Sequence, residues 1–355
     1  MRRLDNGGAP TVLDQLLDRD LSCDASTTRG LTNHLPMALV AKAGLGAPLE
    51  ELVRFSTTYG ARLRIRGAPG DVLTDATWQR SIDEPAAYPE LADFFCRQID
   101  ARGVDEVLRA YLPRFVSGLS GAAFHGAIRL SYALDAASAR RVGAAMGYFA
   151  ANAASLAPLG AADAETDDPA DVLRGLAEEG EGTTVPSMAR ISDEMRWVAR
   201  QLSFARCVAT LSVDGDAPRR MAEVAVKLYA TTDDFTALHG VTGLEALARL
   251  RGFVEDHGEF DRYCFQALAA AYVSLGAPPI WSKERLGEFA MSTDLERGDV
   301  ARRGAMSDDE HVAKLVFTAQ RLGVVMEDPP YRAVAERAVR NDTTSPEAAG
   351  RGHDA

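Results

Sequence analysis

Between Phe124 and Ala157 the chain reads FHGAIRLSYALDAASARRVGAAMGYFAANAASLA, its longest helical region and one unusually rich in Ala and Gly. Residues this small let helix backbones, or a flat ligand, approach closely. The rest of the sequence agrees with close-packed helices. Thr11–Leu17 predicts a short opening helix, followed by a polar loop over 18–33. NHLPMALVAKAGLGAPLEELVRFSTTYGARL predicts two helices broken at Gly44–Pro48. Gly and Pro make 66–85 a loop and candidate lid, and helical spacing resumes over 89–110 and in YLPRFVSGL. Gly118–Gly121 is a tight connection. Segments 188–204, 219–231, 235–251 and 260–275 fit helices, and Cys207–Val213 fits a short strand.

With no βαβ alternation and no regular hairpin signals, the fold class is all-α, a single large multi-helix domain over 1–340. The acidic stretch 161–186 reads as a surface excursion with at most a short helix near 172–178. It marks a candidate boundary between similar halves, 1–160 and 187–340, around a central metal site. Residues 341–355 read as a disordered tail.

A chain of 355 residues supports a substantial core, and a net charge of −12 argues against nucleic acid and anionic membrane as partners. No signal peptide and no bilayer-length apolar run is seen, so a soluble, cytoplasmic protein is expected. Cys23, Cys96, Cys207 and Cys264 are far apart with no CxxC pair, which fits reduced thiols rather than disulfides or a zinc knuckle.

SDDEHVAKLVFTAQRLG, ending at Gly323, is the most informative helix. Ser307 can cap it, Asp308 to Glu310 meet the positive end of its dipole, and Val312, Leu315, Val316, Ala319 and Leu322 form an apolar stripe. His311 and Lys314 are neighbours on its surface. Only Lys42, Lys227, Lys283 and Lys314 are lysines, against 35 arginines. Arginine cannot replace lysine where a neutral amine is needed; the plain alternative is a snorkelling surface lysine.

Four of the six histidines share one setting: NHLPMALVA at His34, FHGAIRLSYAL at His125, LHGVTGLEALARL at His239 and EHVAKLVFTA at His311. Each opens, or lies near the start of, an apolar-patterned helix. Taken singly, each reads as a half-buried histidine bonded to a carbonyl; together they suit the way helical folds converge inward side chains on a metal. Phe124-His125-Gly126 with Leu130 and Leu238-His239-Gly240 with Leu244 also resemble each other, a trace of a repeat or chance. His257 reads as a loop or cap residue and His353 falls in the tail. GxGxxG after a strand, P-loop, HExxH, GxSxG and paired Glu-x-x-His motifs are all missing.

NHLPMALVAKAGLGAPLEELVRFSTTYGARL, FHGAIRLSYALD, FTALHGVTGLEALARL, PPIWSKERL and SDDEHVAKLVFTAQRL together resemble the questin oxidase-like family, in order from about Leu31 to Arg332. The resemblance implies an O2-dependent oxidoreductase, a mono- or dioxygenase of aromatic polyketide secondary metabolism. Its reaction would open the ring of an anthraquinone, hydroquinone or anthrone by Baeyer-Villiger-like oxygen insertion and C–C cleavage. It also implies a non-haem Fe(II) held by histidines and a carboxylated lysine, here His34, His125, His239, His311 and Lys314. Lys227 and Lys283 are alternatives for the lysine.

Imidazoles with one hard anionic oxygen suit Fe(II), with Mn(II) or Zn(II) as substitutes. Asp308 and Asp309 are candidates to fix a histidine tautomer, or serve only as caps. Arg129, one turn after His125, would pair with a phenolate or the carbamate, or form an ordinary ion pair. Phe124, Tyr132, Tyr148 and Trp281 would line an aromatic pocket, or are core. NADPH, for which no binding fold is visible, would reduce the substrate or act through a separate reductase. The alternatives are a zinc hydrolase of an ester or lactone and a non-catalytic helical scaffold.

Overall fold

Thr11 closes the first helix, Val12–Asp20, with a reciprocal capping box: its hydroxyl accepts from Asp14 N, and the Asp14 carboxylate accepts from Thr11 N. The same economy of short polar caps recurs at Asp168, Asp234, Asp256 and Ser282, each accepting from a backbone N–H of the helix it opens. The computed structural model describes residues 11–180, 184–326 and 329–344. Among them are seventeen α-helices and a single two-stranded sheet, so the protein is all-α. One contiguous apolar core joins the first helix to the last, as in a single domain.

Four helices carry the centre: Leu35–Gly44, His125–Asp135, Phe235–Leu250 and Glu310–Met326. They touch in a closed ring, the first on the second, second on third, third on fourth and fourth on first. Small residues set the spacing. A Cβ on Gly243 would lie 2.7 Å from the Phe124 Cβ, and one on Gly44 would lie 2.3 Å from the Phe317 ring.

Outside this ring, Ala139–Ala151 lies on Tyr88–Arg102 through Gly143 and Gly147, which share one helix face. A Cβ on Gly147 would stand 2.4 Å from Ala92 N and one on Gly143 2.7 Å from Cys96 Sγ, so the backbones meet directly. The Ala- and Gly-rich stretch is therefore a packing surface, broken into two helices where Ala137 takes φ 50°.

Three local expectations are corrected. The 18–33 loop contains the strand Cys23–Thr27, paired antiparallel with Leu63–Ile65. Cys207–Val213 is not a strand: the helix Leu202–Ala209 runs into it, and Leu211 then makes an isolated bridge to Thr166. A short apolar run satisfies either period, and packing on its neighbours decides. Within the 161–186 stretch, 161–165 are exposed, but the expected short helix, Pro169–Glu179, is packed inward rather than lying on the surface, burying Val172, Leu173 and Leu176. That helix contacts Leu202–Ala209, Ala217–Thr232 and His257–Ser274.

The last described helix, Pro329–Thr344, includes 341–344 of the expected tail; 345–355, with His353, lies outside the described residues. None of the four cysteines is in a disulfide. Among the described residues no helix is long and apolar enough to cross a membrane.

Candidate metal centre

All four helices of the central ring present their N-terminal ends to one point. His34 is the N-cap of its helix, His125 the first residue, His311 the second, and His239 lies one turn in. Ring centroids are 4.7 Å apart for His34–His125, His34–His311 and His125–His239, and 5.6 Å for His239–His311. Lys314 reaches the same space, its Nζ 3.3 Å from His34 Nδ1. All five side chains are buried, His239 and Lys314 completely.

Chemistry at the outer edge of each ring fixes the inner edge. His239 Nδ1 faces Phe235 O at 2.8 Å, and His125 Nδ1 faces Ala122 O. A carbonyl only accepts, so each Nδ1 carries the proton and each Nε2 is a bare lone pair. Those two Nε2 atoms lie 3.2 Å apart. His311 Nδ1 donates to Asp309 Oδ1 at 3.0 Å, which leaves its buried Nε2 without any partner.

Burial first, and then the Lys314 charge, lowers His34, His125 and His311, with His125 pushed down to about 3. For His239 burial leads, followed by His125 and Lys314. The rings are therefore neutral, as ligands must be. Burial pushes the Lys314 amine down to about 8, although Glu310 and Asp309 act the other way. Burial alone would raise Asp309, but its bonds and charge pairing with His311 hold it below the usual carboxylate range.

The approach to His125 is conformationally strained. Ala122, Ala123 and Phe124 take φ 49°, 52° and 68°, three successive left-handed residues, each costing about 1–2 kcal/mol in an L-residue. The turn aims Ala122 O back at His125 Nδ1.

The remaining residues singled out by sequence are dispersed. Asp309 touches the cluster through His311, whereas Asp308 is exposed and paired with Arg54. Arg129 is buried, not on the surface: it donates to Asn33 O at 2.9 Å and to Asp20 at 3.3 Å, holding the segment that enters His34. Tyr148 and His125 both line a cavity of about 370 Å³. Phe124 is core between helices, Tyr132 packs on Phe317, and half-buried Trp281 packs on Phe289. Lys314 does not snorkel; Lys227 is half-buried on the helix Ala217–Thr232, Lys283 is exposed, and neither is among the cluster's contacts. His257 opens its helix in an exposed position.

Three neighbours were not singled out by sequence. Glu310 Oε1 lies 3.7 Å from His34 Nδ1, and Glu310, His34 and His311 offer ligand atoms within 4.8 Å of one another. As a first-turn acid it looks like a dipole partner. The Phe235 ring stands 4.4 Å from His239 and 4.6 Å from His311; its place one turn before His239 was the available signal. The Tyr59 hydroxyl accepts from His34 N at 2.9 Å, a contact without a sequence trace.

Fold and site together define an all-α protein with a buried, neutral, imidazole-rich cluster of metal-ligand type. A family model described as questin oxidase-like matches residues 31–319. The chain belongs to the questin oxidase-like family, which makes it an oxidoreductase by class. No curated protein matches it.

Proposed function

We propose that the protein is a non-haem iron oxygenase in which His34, His125, His239, His311 and carboxylated Lys314 hold one Fe(II). It inserts oxygen from O2 into an aromatic polyketide, an anthraquinone, hydroquinone or anthrone, and cleaves a C–C bond in Baeyer-Villiger fashion. The observation that carries this reading is the pair of Nε2 lone pairs of His125 and His239, 3.2 Å apart with neither able to donate. Two such lone pairs repel, and a shared cation turns the repulsion into ligation. The orphaned Nε2 of His311 supports the same reading.

Lys314 suits carboxylation because its lowered amine is neutral in a useful fraction near pH 8. The neutral nitrogen attacks CO2, a C–N bond forms, one N–H proton leaves, and an anionic carbamate oxygen results. Four helix N-termini at the site favour that negative charge. Asp309, Ala122 O and Phe235 O hold the ring tautomers, and Phe235 shields two imidazoles from water. Bound there, Fe(II) would supply the one-electron chemistry that lets O2 react with a closed-shell aromatic. Electrons from NADPH, where required, enter through the substrate or a separate reductase.

The test is elemental analysis of protein purified without oxygen and with bicarbonate, alongside O2 consumption with hydroxylated tricyclic aromatics. Near-stoichiometric iron, lost in both His239→Ala and Lys314→Arg, is expected. Iron lost only from the histidine variant removes Lys314 from the ligand set. Bound zinc with ester cleavage and no O2 uptake points to a hydrolase, and a metal-free wild type overturns the metal reading.

A further inference from the structure

The cavity lined by His125 combines two unlike kinds of residue. Gly121, Ala122 and Ala123 are small residues of its lining, which also includes His125 and Tyr148. Arg64 and Arg190 line it as well, and both are hung on one turn. Arg64 Nη2 donates to Thr27 O at 2.9 Å and Arg190 Nη2 to Gly30 O at 3.5 Å. Among the described residues neither has a carboxylate within ion-pair reach, whereas Arg196, on the same lining, is paired with Asp193. Asp24 and Asp83 are the acids of this lining, and Asp24 already accepts from Ser26 N at 3.0 Å.

Both guanidiniums are exposed and tethered to one turn, each through a single bond, and their remaining N–H edges match the fork of a carboxylate. Asp24 and Asp83 set against a dianion, so the complement is a monoanion. The volume of about 370 Å³ lies in the lower part of the small-molecule range of roughly 300–1,000 Å³. We propose that this cavity is the substrate chamber and that Arg64 and Arg190 read a carboxylate on the aromatic substrate, leaving its other end against His125. The aromatic half of this assignment rests on the oxygenase reading; the carboxylate half rests on the arginines.

Calorimetric binding of anthraquinone-2-carboxylate and of its neutral carboxamide separates the two halves. Wild type is expected to bind the acid at least about ten-fold more tightly than the amide. Arg190→Gln, and Arg64→Gln with it, lower acid affinity about ten-fold or more while leaving the amide unchanged, and Arg190→Lys falls between. Equal affinity for acid and amide in wild type, or variants that weaken both alike, overturns the proposal. Metal content and O2 uptake are measured on the same samples. Acid-selective binding in iron-free protein keeps the chamber and removes the oxygenase. Iron-dependent O2 uptake without acid selectivity keeps the oxygenase and removes the carboxylate.

Discussion

Replacing Lys314 by Met should stabilise the metal-free protein while abolishing its metal site. Burial drives the amine from its ordinary 10.5 to about 8, only partly opposed by Glu310 and Asp309. At 1.36 kcal/mol per unit, the buried ammonium costs about 3 kcal/mol. The unfolded chain keeps this proton up to about pH 10.5 and the folded chain only up to about 8. Between those values the unfolded state binds more protons, so stability rises with pH; at pH 7 the folded state carries the whole cost. Methionine is of similar length and uncharged. Urea unfolding of chelator-stripped protein should therefore show Lys314→Met about 3 kcal/mol more stable than wild type at pH 7. The gap narrows through pH 8–10 and closes above about 10.5. A methionine variant no more stable at pH 7, or a gap that ignores pH, would refute the reasoning. The combination is what a functional group held at a cost to the fold should give.

Other outcomes follow from the same contacts. Asp309→Asn removes the carboxylate that orients His311 and should weaken iron or zinc affinity by about 10–100-fold in a metal titration, with little change in melting temperature. Because the imidazoles are already neutral, proton competition for metal should come from Lys314. In bicarbonate, affinity should rise by up to about ten-fold per pH unit up to about 8 and level off above it, a midpoint near 6.5 pointing instead to an ordinary histidine. Gly147→Ala sets a Cβ 2.4–2.5 Å from Ala92 backbone atoms that cannot rotate away, and should cost about 1–3 kcal/mol in chemical denaturation; an unchanged midpoint would mean that the two helices are free to separate.

Helical periodicity, caps and small-residue stretches are local properties, and the chain states them openly. The helices Phe235–Leu250 and Glu310–Met326 lie within a few residues of where spacing put them, and the family resemblance over the His-bearing segments agrees with the match over 31–319. The position of each histidine at or near a helix start was legible as well. Burial and convergence were not, because they depend on partners far along the chain. Lys42 follows the apolar run MALVA and Lys283 opens the polar segment KERLGE, but neither context names a partner. Yet Lys42 is wholly buried, bonded to Ser307 O at 2.6 Å and paired with Glu51 at 2.9 Å, while Lys283 is exposed. Asp308 and Asp309 differ by one position, and the bend that leads into the helix Glu310–Met326 gives one to solvent and the other to His311. Phe124, Tyr132, Tyr148 and Trp281 are aromatics at plausible spacings, but the packing of other helices leaves only Tyr148 of the four on the cavity that His125 also lines. Sequence determined which side chains could serve a metal; the closing of four helices into one ring decided which of them meet, since contacts between residues 34, 125, 239 and 311 exist only once the core has formed.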